Sequence, residues 1–363
     1  MKTELVIALI AGLLGGLLLV AFLIWIVGEN RGRYRTLLFV TTALTFVVVV
    51  VGAYVRLSDA GLGCPDWPGC YGHLDVPKTD AEKAVASAQY PSTPVDVAKG
   101  WKEMGHRYIA GLLGLLIVAV AGVTIVRGNI LGQGAGLPVA LVAIVIMQAA
   151  LGRWTVTMLL KPVIVTLHLI GGMTILALLT WLSARRLPLL VALATLDDPR
   201  GTLRTGAAVA LALVAMQIVL GGWVSTNYAA LACPDLPLCR GALVPPMDFA
   251  NAFHVVRELG QTAQGELLSN EALTAIHWIH RLGAIVVTGY MVWFVVRLRR
   301  IGARRLALTA EVTLAGQIAL GLSNVIFSLP LALAAAHNAG AALLLMVVVV
   351  INYRLSAAVL RTR

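Results

Sequence analysis

Long apolar stretches separated by shorter polar segments dominate this 363-residue chain. A helix needs about 20 mostly apolar residues to cross the hydrocarbon core of a bilayer. Nine such stretches occupy residues 5–27, 37–56, 105–126, 136–157, 163–184, 206–225, 273–296, 304–327 and 331–353. The pattern therefore predicts an all-α polytopic membrane protein with nine transmembrane helices.

The composition supports this class, because 59% of the residues are apolar and only 12% are charged. The first apolar stretch has a second interpretation, a cleaved signal peptide. Its run of 23 residues is longer than a usual signal-peptide core, and no small-x-small cleavage site follows it. We therefore predict that this stretch is retained as a helix.

The chain also repeats itself after 169 residues. This shift carries the segment Cys-Pro-Asp-Trp-Pro-Gly-Cys at 64–70 onto Cys-Pro-Asp-Leu-Pro-Leu-Cys at 233–239, His168 onto His337, and Gln148 onto Gln317. Such self-similarity indicates a duplicated structural unit. Each copy contains four spans, an even number, so both copies insert with the same orientation, related by a pseudo-two-fold axis along the membrane normal.

The repeat divides the chain into predicted segments: an extra helix, then two tandem four-helix bundles joined by a linker. These are 1–36 for the extra amino-terminal transmembrane helix and its link, 37–186 for the amino-terminal bundle, 187–205 for the cytoplasmic linker and 206–363 for the carboxyl-terminal bundle. Each bundle contains one long loop, at 57–104 and 226–272 respectively.

Lysine and arginine are distributed unevenly between the two predicted membrane faces. One face carries 16 of the 28 basic residues and 4 of the 17 acidic ones, so nearly the whole net charge of +11 lies there. Basic residues mark the cytoplasmic side of a membrane protein. We expect the amino terminus outside, the carboxyl terminus in the cytoplasm, and both long loops in the periplasm of a bacterial-type inner membrane. These short basic clusters suit anionic lipid, so no nucleic-acid partner is expected.

All four cysteines lie in the two long loops, with identical spacing in each loop. An oxidising compartment favours disulfide bonds, and zinc would require closer pairs of ligands. We predict bonds between Cys64 and Cys70 and between Cys233 and Cys239. A structural staple is the favoured role of the second pair. For the first pair a redox role stays open, because a short strained ring is more easily reduced.

Four histidines lie inside predicted spans, where ionisable side chains are rare and usually functional. They lie one or two turns below the outer surface on the third, fifth, seventh and ninth spans: His106, His168, His280 and His337. A lone membrane histidine is more often a packing residue, but four at one depth, two per repeat, favour axial ligation of haem iron. His73 and His254, in the long loops, are expected to be ordinary solvated residues.

Small residues beside these histidines, such as Gly283 and Gly340, leave room for a flat macrocycle, and close helix packing explains them equally well. Arg107 and Arg281 each follow a histidine directly. They are candidates for charge-assisted contacts with haem propionates, and the alternative is an arginine that snorkels to the interface.

The two halves differ in one residue close to a histidine. Glu103 precedes His106 by three residues and lies on nearly the same helix face, whereas His277 precedes His280 by three. A carboxylate in one half only suggests that this half carries out chemistry and that the other half carries electrons.

Several of these motifs together resemble the haem A synthase family. They are G-A-Y-V-R-L followed by C-P-D-W-P-G-C, E-x-x-H-R at 103–107, L-A-C-P-D-L-P-L-C at 231–239, and the later H-R and A-H pairs, within residues 37–355. The resemblance implies an eight-helix core with haem b held by His280 and His337, and a pocket for the substrate haem O beside His106 and His168. It also implies two successive hydroxylations of the C8 methyl group of haem O, which yield a formyl group, with Glu103 as the catalytic carboxylate.

The chain departs from the family pattern in its extra amino-terminal helix and in His277. The match of His280-Arg281 to His106-Arg107 favours His280 as the ligand. The expected partners are the lipid bilayer, haem O, the haem O synthase that supplies it, and an electron donor that is either a quinol or a thiol system. Formation of a homo-oligomer is left open.

Two other classes of protein remain as alternatives. An electron-transfer cytochrome b would use the four histidines but would need neither Glu103 nor a disulfide close to one site. A thiol-oxidising membrane protein, with quinone as acceptor, would use the cysteines and leave the histidines unexplained.

Overall fold

A computed structural model describes residues 2–187 and 201–359, with side chains for 10–187 and 201–356. Most of the predicted linker 187–205 lies outside these ranges. The helices are α1 (Lys2–Val27), α2 (Arg31–Leu57), α3 (Asp80–Gln89), α4 (Val97–Leu131), α5 (Gly136–Thr157), α6 (Pro162–Ala184), α7 (Thr202–Thr226), α8 (Phe249–Ala252), α9 (Asn270–Arg300), α10 (Arg304–Ile326) and α11 (Leu331–Val359).

Nine helices in the described part of the chain are long and apolar enough to cross a membrane, which confirms the predicted number of spans. Several extend beyond their apolar stretches because polar residues cap them. For example, α4 begins at Val97 rather than at residue 105, since the side chain of Asp96 accepts a hydrogen bond of 3.0 Å from the backbone nitrogen of Lys99. The extension places Glu103 and His106 inside a continuous helix.

The chain separates into two compact units, residues 1–160 and 161–363. In the first unit, α4 packs against α1, α2 and α5. Glycines allow the approach of the extra helix α1, because an added Cβ at Gly16 would lie 3.0 Å from Leu115 and one at Gly122 would lie 2.6 Å from Ile24. Such close approach between helices is typical of small residues in membrane proteins.

In the second unit, α7, α9, α10 and α11 form a closed ring in which each helix contacts the next, and α11 contacts α7. Helices α9 and α11 therefore occupy opposite corners of a four-helix bundle. Helix α6 packs on the outside of this ring, against α7 and α11. The predicted amino-terminal bundle 37–186 would include α6, so that domain boundary and the tandem arrangement of two bundles stay predictions.

The two cysteine loops have the same local backbone structure. Each contains a cis peptide bond before the second proline, at Trp67-Pro68 and at Leu236-Pro237. Just after each second cysteine, Tyr71 and Arg240 adopt positive φ, with φ of 53° in both cases. The sequence repeat is thus reproduced in the backbone of these loops. The first loop also contains α3, which begins with a capping box formed by Thr79 and Glu82.

The first cysteine loop lies directly on the amino-terminal turn of α4. An added Cβ at Gly63 would lie 2.6 Å from the carbonyl carbon of Lys99 and 2.8 Å from the backbone nitrogen of Gly100. Neither atom moves without a shift of the helix backbone. Glycine at residue 63 is therefore required for the loop to reach α4.

We predict that Gly63→Ala destabilises the protein by about 1–3 kcal/mol, the usual cost of forcing an extra methyl group into a packed site. Thermal unfolding in detergent measures the effect. Gly105→Ala is the matched control, because nothing lies within 4 Å of a Cβ added at that residue of α4. Equal melting temperatures for the two variants would contradict the packing described here.

Candidate functional site: a buried acid, paired histidines and two cysteine loops

Glu103 is buried beneath the first cysteine loop, with 5% of its surface exposed. Its Oε2 accepts a hydrogen bond of 2.9 Å from the backbone nitrogen of Cys64, and its Oε1 pairs with Nη2 of Arg107. Glu103 thus connects α4, one turn before His106, to the disulfide-closed loop. Loss of Arg107 would leave the buried charge of Glu103 uncompensated, which typically costs about 3–5 kcal/mol.

Arg107 binds the loop as well as the acid. Its Nη1 donates to the carbonyl oxygens of Asp66 at 3.0 Å, Pro68 at 3.4 Å and Gly69. The guanidinium group therefore joins Glu103 to the turn that the first disulfide closes. The predicted contact with a propionate stays a prediction, and these carbonyl contacts give Arg107 a structural role that the sequence did not indicate.

The second unit repeats this arrangement with a histidine in place of the acid. The backbone nitrogen of Cys233 lies 3.4 Å from Nδ1 of the buried His277, and Nε of Arg281 lies 3.3 Å from Nε2 of the same ring. A neutral imidazole accepts a hydrogen bond at one nitrogen only, so His277 cannot accept from both donors at once. Glu103 accepts from both of its donors, and this is the chemical difference between the two units.

Arg281 also binds the carbonyl groups of its own loop, and two of its three contacts correspond to those of Arg107. Its Nη1 donates to the carbonyl oxygens of Asp235 and Leu238, each at 2.9 Å, and its Nη2 donates to that of Cys233 at 2.6 Å. Its predicted contact with a propionate likewise stays a prediction.

Disulfide bonds join Cys64 to Cys70 and Cys233 to Cys239. In the loop that each disulfide bond closes, an aspartate accepts hydrogen bonds from the backbone nitrogens just after the second cysteine. Asp235 accepts from the nitrogens of Arg240 at 2.6 Å and Gly241 at 2.8 Å. These N–H groups, that of Gly241 foremost, lower the pKa of Asp235 below its ordinary value, because they stabilise the charged form. The aspartates therefore act as structural residues of the turns.

His280 and His337 lie on α9 and α11, at opposite corners of the second unit's four-helix bundle. Each imidazole packs on a glycine of a neighbouring helix. A Cβ added at Gly221 would lie 3.1 Å from Cε1 of His280, and one added at Gly321 would lie 3.1 Å from Cε1 of His337. The glycines therefore allow both imidazoles to pack directly against the backbone of the neighbouring helix.

His106 packs in the same way in the first unit, where a Cβ added at Gly52 would lie 2.9 Å from its Nε2. The backbone of Val48 is near enough to interact with its ring. His168 lies on α6, which belongs to the second unit. The pairing of His106 with His168 therefore stays a prediction. Of the two loop histidines, His254 is exposed and His73 is half-buried.

The second-unit pair fits the ligand set of a haem. Two half-buried imidazoles on opposite helices, each against a glycine, match the residue type and number of the axial ligands of a bis-histidine haem. Across residues 10–187 and 201–356, the structure contains no group of three or more His, Cys, Asp or Glu side chains arranged to hold a bare metal ion.

These features define a polytopic membrane protein with haem-compatible histidines beneath disulfide-closed loops. A family model described as cytochrome oxidase assembly protein matches residues 35–349. The chain is 42% identical over 322 residues to a haem A synthase of Shewanella oneidensis, covering 88% of this chain and 96% of the relative. It is 31% identical over 346 residues to a haem A synthase of Methylobacterium radiotolerans, covering 86% and 87% of the two chains. The chain belongs to the haem A synthase family of cytochrome oxidase assembly proteins, which confirms the resemblance seen in its motifs.

The disulfide bonds yield a direct prediction. Alkylation of the denatured protein without reductant, followed by peptide mapping by mass, should find all four cysteines protected as the pairs Cys64–Cys70 and Cys233–Cys239. Reduction before alkylation is the control and should expose all four thiols. Two alkylated thiols at Cys64 and Cys70 without reductant would contradict the structure of the first loop.

Proposed function

We propose that this chain is an oxidoreductase that converts the C8 methyl group of haem O to the formyl group of haem A by successive hydroxylations. The overall half-reaction turns a methyl group and a water molecule into a formyl group with release of four protons and four electrons. Membership of the haem A synthase family supports the substrate and product. The observation that carries the proposal is the buried Glu103, held beside His106 in one unit while its counterpart His277 in the other is not an acid.

We assign haem b to His280 and His337. The position of these two residues on opposite helices of the second unit, each with its imidazole against a glycine, Gly221 or Gly321, supports this assignment. A haem b bound there would supply one-electron transfer. The two imidazoles would hold the group, and the apolar helices around them would limit access of water.

We assign the haem O pocket to the amino-terminal half, with His106 and His168 as its ligands. Glu103 lies one turn from His106 and is fixed by Arg107 and by the backbone of Cys64. A carboxylate fixed in this way can take up a proton or stabilise positive charge that develops at the substrate methyl group. Its fixed position is an advantage, because no reorganisation is needed during the reaction.

We assign both cysteine loops to the periplasm and the carboxyl terminus to the cytoplasm, and the uneven distribution of basic residues supports this orientation. The backbone nitrogen that donates to Glu103 belongs to Cys64 of the first disulfide. A redox reaction of Cys64 and Cys70 would therefore take place close to the proposed haem O pocket. Because this half-reaction releases four electrons, the electron partner that completes it is an oxidised acceptor, a quinone or a disulfide, rather than a quinol or thiol donor. A haem O synthase in the same membrane supplies the substrate. An electron-transfer cytochrome b would account for the histidines but not for the buried acid in one unit.

The haem b assignment predicts the effect of two substitutions. His280→Ala and His337→Ala should each remove most of the low-spin b-type spectrum of the purified protein, because bis-histidine ligation needs both imidazoles. His254→Ala, at an exposed loop histidine of the same unit, is the matched control and should retain the spectrum. A full low-spin spectrum in both helix variants would refute the assignment.

The catalytic assignment of Glu103 is tested by Glu103→Gln, which removes the charge and keeps the shape and an acceptor for Cys64. We expect folded protein with the b haem retained and with haem O, or its alcohol, accumulating in place of haem A. Asp59→Asn is the matched control, since Asp59 is an exposed carboxylate of the same loop whose partner is Lys99. Mass analysis of extracted haem gives the product ratio. A normal yield of haem A per folded Glu103→Gln molecule would show that the acid is only a structural partner of Arg107.

A further inference from the structure

Three helices carry the pattern Gln-x-x-Leu-Gly, at residues 148–152, 217–221 and 317–321. They are α5, α7 and α10, and the glycines of the last two are those against which His280 and His337 pack. The corresponding stretch of α2, residues 48–52, ends in Gly52 but begins with Val48. The glutamine is therefore present at three of the four related positions and absent at the fourth.

A second pattern varies in the same way on the helices that carry the histidines. His168, His280 and His337 are each followed three residues later by glycine, at Gly171, Gly283 and Gly340. His106 is followed three residues later by Ile109. The half-site that lacks the glutamine thus also lacks this glycine.

The structure of the second unit explains why the two residue types occur together. The side-chain amide of Gln217 lies against Gly283, and that of Gln317 lies against Gly340, so closely that a Cβ at either glycine would collide with Oε1 of the glutamine. Each glycine forms a notch for one amide. An isoleucine at the corresponding place, such as Ile109, would fill the notch.

Each amide reaches the ring of a proposed haem ligand. Nε2 of Gln217 lies 3.1 Å from Nδ1 of His280 and 2.9 Å from the carbonyl oxygen of the same residue. Nε2 of Gln317 lies 3.3 Å from Nε2 of His337. The rings of His106 and His337 both interact with the backbone at the first residue of the pattern, Val48 and Gln317. The side-chain amide is therefore what distinguishes the two half-sites.

The amides also carry an unused acceptor. Oε1 of Gln217 and Oε1 of Gln317 are buried and have no hydrogen-bond partner in the described protein. A buried acceptor without a donor is costly, so a partner is expected when the site is complete. A histidine bound to iron through one ring nitrogen carries a proton on the other and needs an acceptor there. A half-turn of each amide would bring its Oε1 to the ring nitrogen that its Nε2 now contacts, which would leave Nε2 of His280 and Nδ1 of His337 for the iron. In Gln217 this turn also gives up the hydrogen bond to the carbonyl oxygen of His280.

We propose that Gln217 and Gln317 are positioning residues that accept the N–H of His280 and His337 when these ligate haem b. The inference rests on the proposed haem b site. The hydrogen bonds fix the orientation of both rings and raise their electron donation to iron. His106 has Val48 at the corresponding position, so its ring has a backbone partner but no side-chain amide, which suits a ligand to a substrate haem that must leave after reaction.

Gln217→Leu and Gln317→Leu test this role, because leucine is similar in size and has no acceptor. We expect each variant to bind haem b about 10–100-fold more weakly, the usual effect of losing such a partner of a metal ligand. The haem that remains should have a higher midpoint potential, since a histidine without the acceptor donates less electron density to ferric iron. Met216→Leu, an exposed neighbour of Gln217 on α7, is the matched control and should behave as the parent protein.

Gln217→Glu completes the series, because it keeps the length of the side chain and an acceptor oxygen, and it should not raise the potential. A purely structural role would not give leucine and glutamate variants that differ in this way. If the leucine variants keep the haem affinity and potential of the parent, or lose haem without any change in potential, the inference is wrong. If the parent protein itself contains no bis-histidine haem, the proposed haem b site fails instead.

Discussion

An arginine that ties a disulfide-closed loop to a histidine-bearing helix is the interaction on which the site depends. Arg107 and Arg281 each donate to the carbonyl oxygens of their own cysteine loop. The carbonyl groups of each loop point toward the amino-terminal end of an apolar helix and need hydrogen-bond donors there. Each guanidinium group supplies several donors in a fixed geometry. Because each arginine directly follows a haem-ligand candidate, the same contact fixes the loop, the first turns of the helix and the depth of the histidine.

The two units use this arrangement for different purposes. In the first, the arginine and the loop backbone hold Glu103, an acid that accepts from both donors. In the second, His277 faces the equivalent donors and can accept from only one at a time. The second unit instead contains glutamines that contact both of its paired histidines. Glu103 lies one turn from His106, whereas amides contact His280 and His337. This difference is consistent with a reacting haem at the first site and a permanently bound haem at the second.

The sequence was sufficient to predict features that depend on local pattern. Apolar stretches gave the nine spans, and identical spacing in the two loops gave the cysteine pairs. It was not sufficient for features that depend on tertiary contact. The loop contacts of Arg107 and the amide contact of Gln217 involve residues distant in sequence, and the inward orientation of the carbonyl groups follows from the folded turn. The Gln-x-x-Leu-Gly pattern was visible, but its meaning required the notch at Gly283. The association of α6 with the second unit likewise depends on packing against α7 and α11, which hydropathy does not encode.

The central claim, that this chain oxidises haem O, is tested most directly by the haem it produces. The chain is expressed with a haem O synthase in bacterial cells that have no haem A synthase of their own, and the membrane haem is extracted and identified by mass. If the chain oxidises haem O, we expect haem A in these membranes and haem O alone in cells that carry the empty vector. Membranes that contain folded protein with an intact b-type spectrum, but only haem O, would contradict it.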